Sequence, residues 1–330
     1  LKIFKASRFY SWSDKLTTKG IYPLPFVLSL SKDCIKRYLK DYLGNHLQQS
    51  NNIAVCRQFI LILSAYFFYV PLYASPEQDR AAFRLHYQER FPQLKLNDYS
   101  NGVYAIDAIA KQSWLAIEEF PPYEAAIEAG KILFNTPFTN GKHYADCLPN
   151  KGIGIANNYP KWHKAKGEAI TLAKALNDCR IRQQEPALPY EKAEMLNLLA
   201  YLAFTTRGKP ISVSIPKDDP RALAAYEQGK AFYYQRHGQL NFSCATCHIQ
   251  NVGKKLRAEI LSASLGHTNN WPTYRLKWGE MGSLHRRFAE CLTNIKAQAY
   301  PEQSVQFRNL EYFLGFMGNG VPISGPSTRK

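Results

Sequence analysis

The sequence predicts a mainly helical protein built as two tandem copies of one domain, and three observations carry that expectation. Ala125–Lys131 reads AAIEAGK and Ala224–Lys230 reads AAYEQGK, each followed by a bulky pair, Leu133-Phe134 and Phe232-Tyr233. Further on, LAF (Leu202 to Phe204) with GKPI (Gly208 to Ile211) is matched by LGF (Leu314 to Phe316) with GVPI (Gly320 to Ile323). Third, cysteines recur at equivalent places. Gly130 precedes Cys147 by 17 residues and Gly229 precedes Cys247 by 18, while Cys179 precedes Gly208 and Cys291 precedes Gly320 by 29 each. A self-similar spacing of this kind marks a repeated structural unit.

Each copy therefore opens and closes with a helix. The closing helices carry apolar residues at helical spacing: Leu198, Tyr201 and Leu202 in the first, Leu310, Phe313, Leu314 and Met317 in the second. A glycine after each, with a proline two residues later, supplies the stop. Gly130 and Gly229 would let each opening helix approach its closing partner closely.

A chain of 330 residues, 45% hydrophobic and 21% charged, is long enough for two cores and too apolar for disorder. Its longest apolar run, FILILSAYFFYVPL (Phe59 to Leu72), follows Arg57. That is short of the ~20 residues of a membrane span. It reads as a secretory signal over 55–74 with cleavage after Ala74, the alternative being a buried core helix. Periplasmic location follows, with no stable membrane insertion. Residues 1–54 then stand as a doubtful extension of the reading frame. They show no clear period, and PFVLSLSKD (Pro25 to Asp33) has the look of translated intergenic repeat. The expected domains are 75–212 and 213–330.

Five of the seven cysteines fall in the exported part: Cys147, Cys179, Cys244, Cys247 and Cys291. That part keeps 32 basic and 23 acidic residues, a net charge of +9. A basic balance suits anionic substrates or acidic partner proteins. The basic residues are scattered and no nucleic-acid motif accompanies them, so nucleic acid is not an expected partner.

Only the second copy carries CATCH, Cys244 to His248. Two thiols three positions apart can reach the two vinyl groups of a haem, and the next residue can place its imidazole on iron. A thioredoxin-like pair would not need the histidine, and a zinc site would need a second ligand pair. The motif predicts one covalently bound haem c and makes the fold two cytochrome c-like domains. The first copy has ADCL (Ala145 to Leu148), lacking both the upstream thiol and the histidine. It is expected to be haem-less.

The sixth iron ligand stays open on chemistry alone. Met281, Met317, His267, His285 and Cys291 are available; Met317 sits in a core stripe, and a thiolate from Cys291 would lower the potential. Cys291 is preferred over Met281. Cys147 and Cys179 are expected to bond to each other, which export permits, in place of the cross-linking lost with the haem. Two buried free thiols are the competing reading.

FSCATCH (Phe242 to His248), WPTYRLKWGEMGSLHRRFAEC (Trp271 to Cys291) and LEYFLGFMGNGVPISGP (Leu310 to Pro326) resemble the SoxA family, the cytochrome subunits of periplasmic thiosulfate oxidation. The likeness extends weakly through the first domain, so that it covers about residues 76–330, and it resembles the family's one-haem form. The resemblance implies that Cys291 is the distal haem ligand, a cysteine modified to a persulfide, and that Arg287 contacts substrate. It implies an L-cysteine S-thiosulfotransferase that joins thiosulfate oxidatively to a cysteine of the SoxY subunit of SoxYZ, beside a SoxX-like cytochrome partner. Thiosulfate is a dianion, which Arg287, with Arg286 nearby, could hold in a bidentate fashion. A solvated helix face is the plainer reading of that arginine pair. His285 is either a proton acceptor or an ordinary surface residue. Rival functions are a plain electron-transfer cytochrome, a thiosulfate dehydrogenase forming tetrathionate, and a scaffold.

Overall fold

The computed structural model describes residues 74–330, of which Pro76–Lys330 form one compact unit. The expected extension 1–54 and the signal segment, Ala74 apart, lie outside the described residues. Among the described residues no helix is long and apolar enough to cross a membrane. Helices dominate: α1 (Pro76–Arg90), α2 (Ala108–Glu118), α3 (Glu124–Asn135), α4 (Leu172–Arg182), α5 (Ala193–Phe204), α6 (Pro220–Tyr234), α7 (Leu284–Asn294) and α8 (Val305–Met317).

The two repeated motifs form two helix pairs, α3 with α5 and α6 with α8. Glycine explains the closeness of each. A methyl group at Gly130 would sit 1.9 Å from the Asn197 carbonyl oxygen, and one at Gly229 would sit 2.0 Å from that of Asn309. No side chain fits there, so the backbones touch.

Past each closing helix the chain turns through a glycine in the left-handed region, Gly208 at φ 81° and Gly320 at φ 88°. The two segments that follow pair with each other. Gly208 N–H donates to Ile323 O and Gly320 N–H to Ile211 O, both at 2.9 Å, around an antiparallel bridge between Pro210 and Pro322. The exchange is reciprocal, as a local two-fold relation between the copies requires.

Short sheets precede α4 and α7. Strands β1 (Lys161–His163) and β2 (Glu168–Ile170) form an antiparallel hairpin ahead of α4. After the small hairpin of β3 (Lys255–Leu256) and β4 (Glu259–Ile260), strands β5 (Thr273–Arg275) and β6 (Glu280–Gly282) repeat that hairpin ahead of α7. Strand β7 (Ser327–Arg329) adds to β5 in parallel. Each following helix begins at a hydroxyl that accepts from the third backbone N–H beyond it at 3.1 Å: Thr171 from Lys174, and Ser283 from Arg286.

One core gathers Phe134, Tyr144, Leu176, Met195, Leu198 and Leu202 from the first copy. A larger one gathers Tyr226, Tyr233, Phe307, Phe313 and Met317 from the second. Helix α1, which precedes the first copy in sequence, packs with the larger core through Phe83 and Tyr87. Buried Asp79 on α1 accepts from Lys230 at 2.6 Å and from the Tyr226 hydroxyl at 2.9 Å, both on α6. An apolar face with a buried, paired carboxylate has its partners there and not in the copy that follows it in sequence.

Candidate haem and thiosulfate site

The CATCH segment starts at a reciprocal cap. Ser243 N–H donates to Thr246 Oγ1 at 3.1 Å, and Thr246 N–H donates to Ser243 Oγ at 3.0 Å. This turns the chain into a widely wound turn over Thr246–Gln250, with the thiols of Cys244 and Cys247 free. Burial, then the nearby sulfurs of Cys291 and Cys247, push the Cys244 thiol up to about 12. Burial and Cys291 likewise raise Cys247. Three cysteine sulfurs thus share one site.

His248 is oriented by a carbonyl. Its Nδ1 donates to Ser262 O at 2.8 Å, which fixes the tautomer and leaves Nε2 unprotonated. Burial pushes its pKa down to about 4; the Ser262 hydrogen bond opposes that shift and Arg287 adds to it. A neutral imidazole with a committed Nδ1 is the form that binds a metal. Tyr87 on α1 holds the turn from behind, donating to His248 O at 2.7 Å and accepting from Ser264 N at 3.0 Å.

Helix α7 brings the other expected residues. Arg287 and Cys291 are one turn apart and so share a face. Burial lowers the pKa of Arg287, but the Cys291 sulfur and Glu290 outweigh it, and the net shift is upward. Its Nη1 lies 2.6 Å from Glu290 Oε2. Arg275 Nη1 reaches the same oxygen at 3.0 Å, and Lys277 Nζ reaches Oε1 at 2.5 Å. Burial raises the Glu290 pKa, but hydrogen bonds and charges from Lys277, Arg287 and Arg275 bring it down to about 2. Three cations around one carboxylate leave positive charge beside Cys291, where an anion would be attracted.

Of the other expectations, some change and some are met. His267 lies edge-on against the His248 ring, with centroids 4.5 Å apart. Met281 sits on β6 and packs with Tyr123, Ala126, Ile127 and Ala200, in a cluster that contains none of Cys244, Cys247 and Cys291. Met317 is core, 1% exposed. Arg286 turns away, stacking 4.3 Å over Trp278 and pairing with Glu280 at 2.9 Å. His285 is no surface residue: it is 2% exposed, its Nδ1 accepts from Gln303 N at 3.0 Å, and its Nε2 stands 2.9 Å from Glu311 outside hydrogen-bond alignment. In the first copy Cys147 and Cys179 are bonded to each other, with Cα atoms 5.8 Å apart.

Arg275, Lys277 and Glu290 were not singled out from the sequence. A signal for them existed: residues 159–179 and 271–291 align without a gap, placing Gly167 on Gly279, Glu168 on Glu280, Asp178 on Glu290 and Cys179 on Cys291. Within that frame a charged residue departing from its counterpart, such as Arg287 opposite Ala175, stands out.

The residues fit a c-type haem. Two free thiols at the right spacing lie beside a neutral imidazole whose Nδ1 is already bonded, and a third sulfur lies near them. Comparison with known proteins agrees. A family profile described as SoxA/TsdA, cytochrome c domain, matches residues 129–211. The SoxA subunit of L-cysteine S-thiosulfotransferase from Allochromatium vinosum is 53% identical over 257 residues, covering 78% of this chain and 91% of that protein. The chain belongs to the SoxA family. A second SoxA, from Chlorobaculum tepidum, is 44% identical over 77% of this chain and 88% of its own length. Among solved structures, one titled "Crystal structure of SoxXA from P. pantotrophus" superposes with a TM-score of 0.61 at 29% identity, covering 66% of this chain and 84% of that one. As a SoxA, the chain is a subunit of L-cysteine S-thiosulfotransferase and works in sulfur oxidation. The plain electron carrier is thereby set aside. The SoxA/TsdA profile falls on the copy that lacks CATCH.

Proposed function

We propose that this SoxA carries a single haem c, in the second of two tandem cytochrome c-like domains, and that Cys291 is its sulfur-bearing distal ligand. The observation that supports it most is Arg287 and Cys291 on one face of α7, next to the free thiols of CATCH. Cys244 and Cys247 would hold the haem through thioether bonds and His248 through Nε2. When bound, the haem supplies a one-electron acceptor and a Lewis acid for sulfur.

Arg287 binds the sulfonate end of thiosulfate through its planar fork, while Glu290, clamped by Arg275 and Lys277, fixes where that fork points. The terminal sulfur of thiosulfate then forms a bond to the cysteine sulfur of a SoxY-type carrier. One S–H bond breaks, one proton leaves, and two electrons are released. A single haem would accept only one of these electrons, so a second redox centre is needed, which a SoxX-like cytochrome would supply. The solved relative is a SoxXA complex. The compartment is the periplasm, where haem attachment and the Cys147–Cys179 bond are both compatible with oxidising conditions.

The test is a pyridine haemochrome titration with intact-mass measurement. One haem per chain and added sulfur at Cys291 are expected. Two haems, or a Cys291 that never gains sulfur during turnover, would overturn this assignment.

A further inference from the structure

The two copies keep one register far beyond the motifs that first revealed them. From residue 159 to 211, and again from 271 to 323, the chain runs without insertion or deletion. Each stretch holds a hairpin that turns at a left-handed glycine, Gly167 at φ 65° and Gly279 at φ 68°. Each continues into an 11-residue helix whose cysteine lies eight positions beyond the capping hydroxyl, Cys179 after Thr171 and Cys291 after Ser283. Each is then anchored by the same close contact, Gly130 on Asn197 and Gly229 on Asn309. Counted from those glycines, Cys147 and Cys247 occupy places one residue apart.

In the first copy this frame places the two sulfurs in a covalent bond. In the second copy Cys247, one residue out of step with Cys147, and Cys291, at the place of Cys179, are both free thiols. What differs is the chemistry of the loop, where the second copy adds Cys244 and His248.

We infer that Cys247 and Cys291 form a disulfide in the chain before haem attachment, the counterpart of Cys147–Cys179. Haem and disulfide are then competing occupants of one frame. The step takes two thiols to one S–S bond with release of two protons and two electrons. The electrons pass to an oxidant of the disulfide class, which is reduced to two thiols. Thioether formation at Cys247 needs the thiol, so haem loading requires a dithiol reductant to run that step backwards. The same reduction frees Cys291 for its place at iron. This inference rests on the reading of CATCH as the haem attachment site.

The experiment takes the full chain made without haem-attachment machinery, oxidises it with glutathione disulfide, alkylates the remaining thiols and maps the peptides. A peptide joining Cys247 to Cys291, with Cys244 alkylated, is expected alongside the Cys147–Cys179 pair. A Cys244–Cys247 link, or three alkylated thiols, would overturn the inference. A second measurement needs no isolated haem-free chain. In cells that attach haem but are short of periplasmic dithiol reductant, Cys291→Ser should raise the fraction of chains carrying haem at least twofold over the native chain. An unchanged fraction counts against the disulfide. The pyridine haemochrome of the native chain, made with full machinery, reports separately on haem attachment itself.

Discussion

At matching positions the two copies do opposite things with the same scaffold. In the first, Cys179 is fully buried and bonded, its neighbour Asp178 is paired with Lys166 at 2.8 Å, and the residue one turn earlier is Ala175. In the second, Cys291 is free and partly exposed, its neighbour Glu290 gathers Arg275, Lys277 and Arg287, and the residue one turn earlier is an arginine. Helix length, cap and hairpin are unchanged between them. On the function proposed above, a reactive sulfur site needs few departures from a structural one: a loop with a second thiol and a histidine, and a cation in place of a methyl group.

The most severe way to break that contrast is to remove the free sulfur. Cys291→Met should leave the haem attached, since Cys244, Cys247 and His248 suffice. The potential should rise as an anionic ligand departs, and thiosulfate transfer to the carrier cysteine should fall to near background. A carrier-loading assay beside a visible spectrum checks both halves of this. Full transfer activity with the partner cytochrome present would make Cys291 dispensable.

Arg287→Leu restores an apolar side chain like that of the first copy. It should lower kcat/KM for thiosulfate by roughly a hundredfold, the loss of about 3 kcal/mol expected for a charge-assisted contact, with the iron spectrum retained. Steady-state kinetics and the spectrum of the same sample decide it. A shifted spectrum would mean that Arg287 acts through the ligand.

The two disulfide cysteines offer the reverse test. Replacing Cys147 and Cys179 together by alanine should cost about 2–4 kcal/mol of unfolding free energy while leaving haem content and transfer unchanged, as read by urea unfolding. Gly130→Ala and Gly229→Ala should each cost about 1–3 kcal/mol, since a backbone carbonyl must move in both. Equal losses would sharpen the equivalence of the helix pairs; a tolerant Gly130 would break it.

The smallest effect concerns pH. The folded Glu290 carboxyl lies at about 2, below the ~4.3 of an unfolded glutamate. Its contribution is complete above the unfolded value and is lost as pH falls through the folded one. Between pH 5 and 3 the urea midpoint of the native protein should therefore drop further than that of Glu290→Gln.

Much of this was legible in the sequence because it rests on local pattern. The closing helices announce themselves by apolar spacing, and Leu198, Leu202, Phe313 and Met317 are all buried as that spacing requires. The CATCH turn and the pairing of Cys147 with Cys179 follow from spacing and compartment. What stayed hidden depends on long-range contact. Nothing near Asp79 in sequence says that Lys230 is its partner, and nothing near His285 says that it is enclosed by Phe288, Phe307 and Gln303. Arg286 and Arg287 look alike as a pair, yet Trp278 and Glu280 draw the first away while Glu290 holds the second toward the sulfur. Met281 reads as a loop residue until the β5–β6 pairing places it on a strand.

The grip of α1 on the haem turn has a consequence for the order in which the molecule can be finished. Tyr87 leaves the ribosome long before its partners, which lie 161 and 177 residues further along the chain at His248 and Ser264. Contacts of such separation close late, because the loop entropy must be overcome before they form. The earliest of the described helices is thus seated late, and until it is, the backbone carrying the His248 imidazole lacks its phenol support. A fragment beginning at residue 213 would contain the whole of CATCH together with Cys291 and still lack the strut behind them.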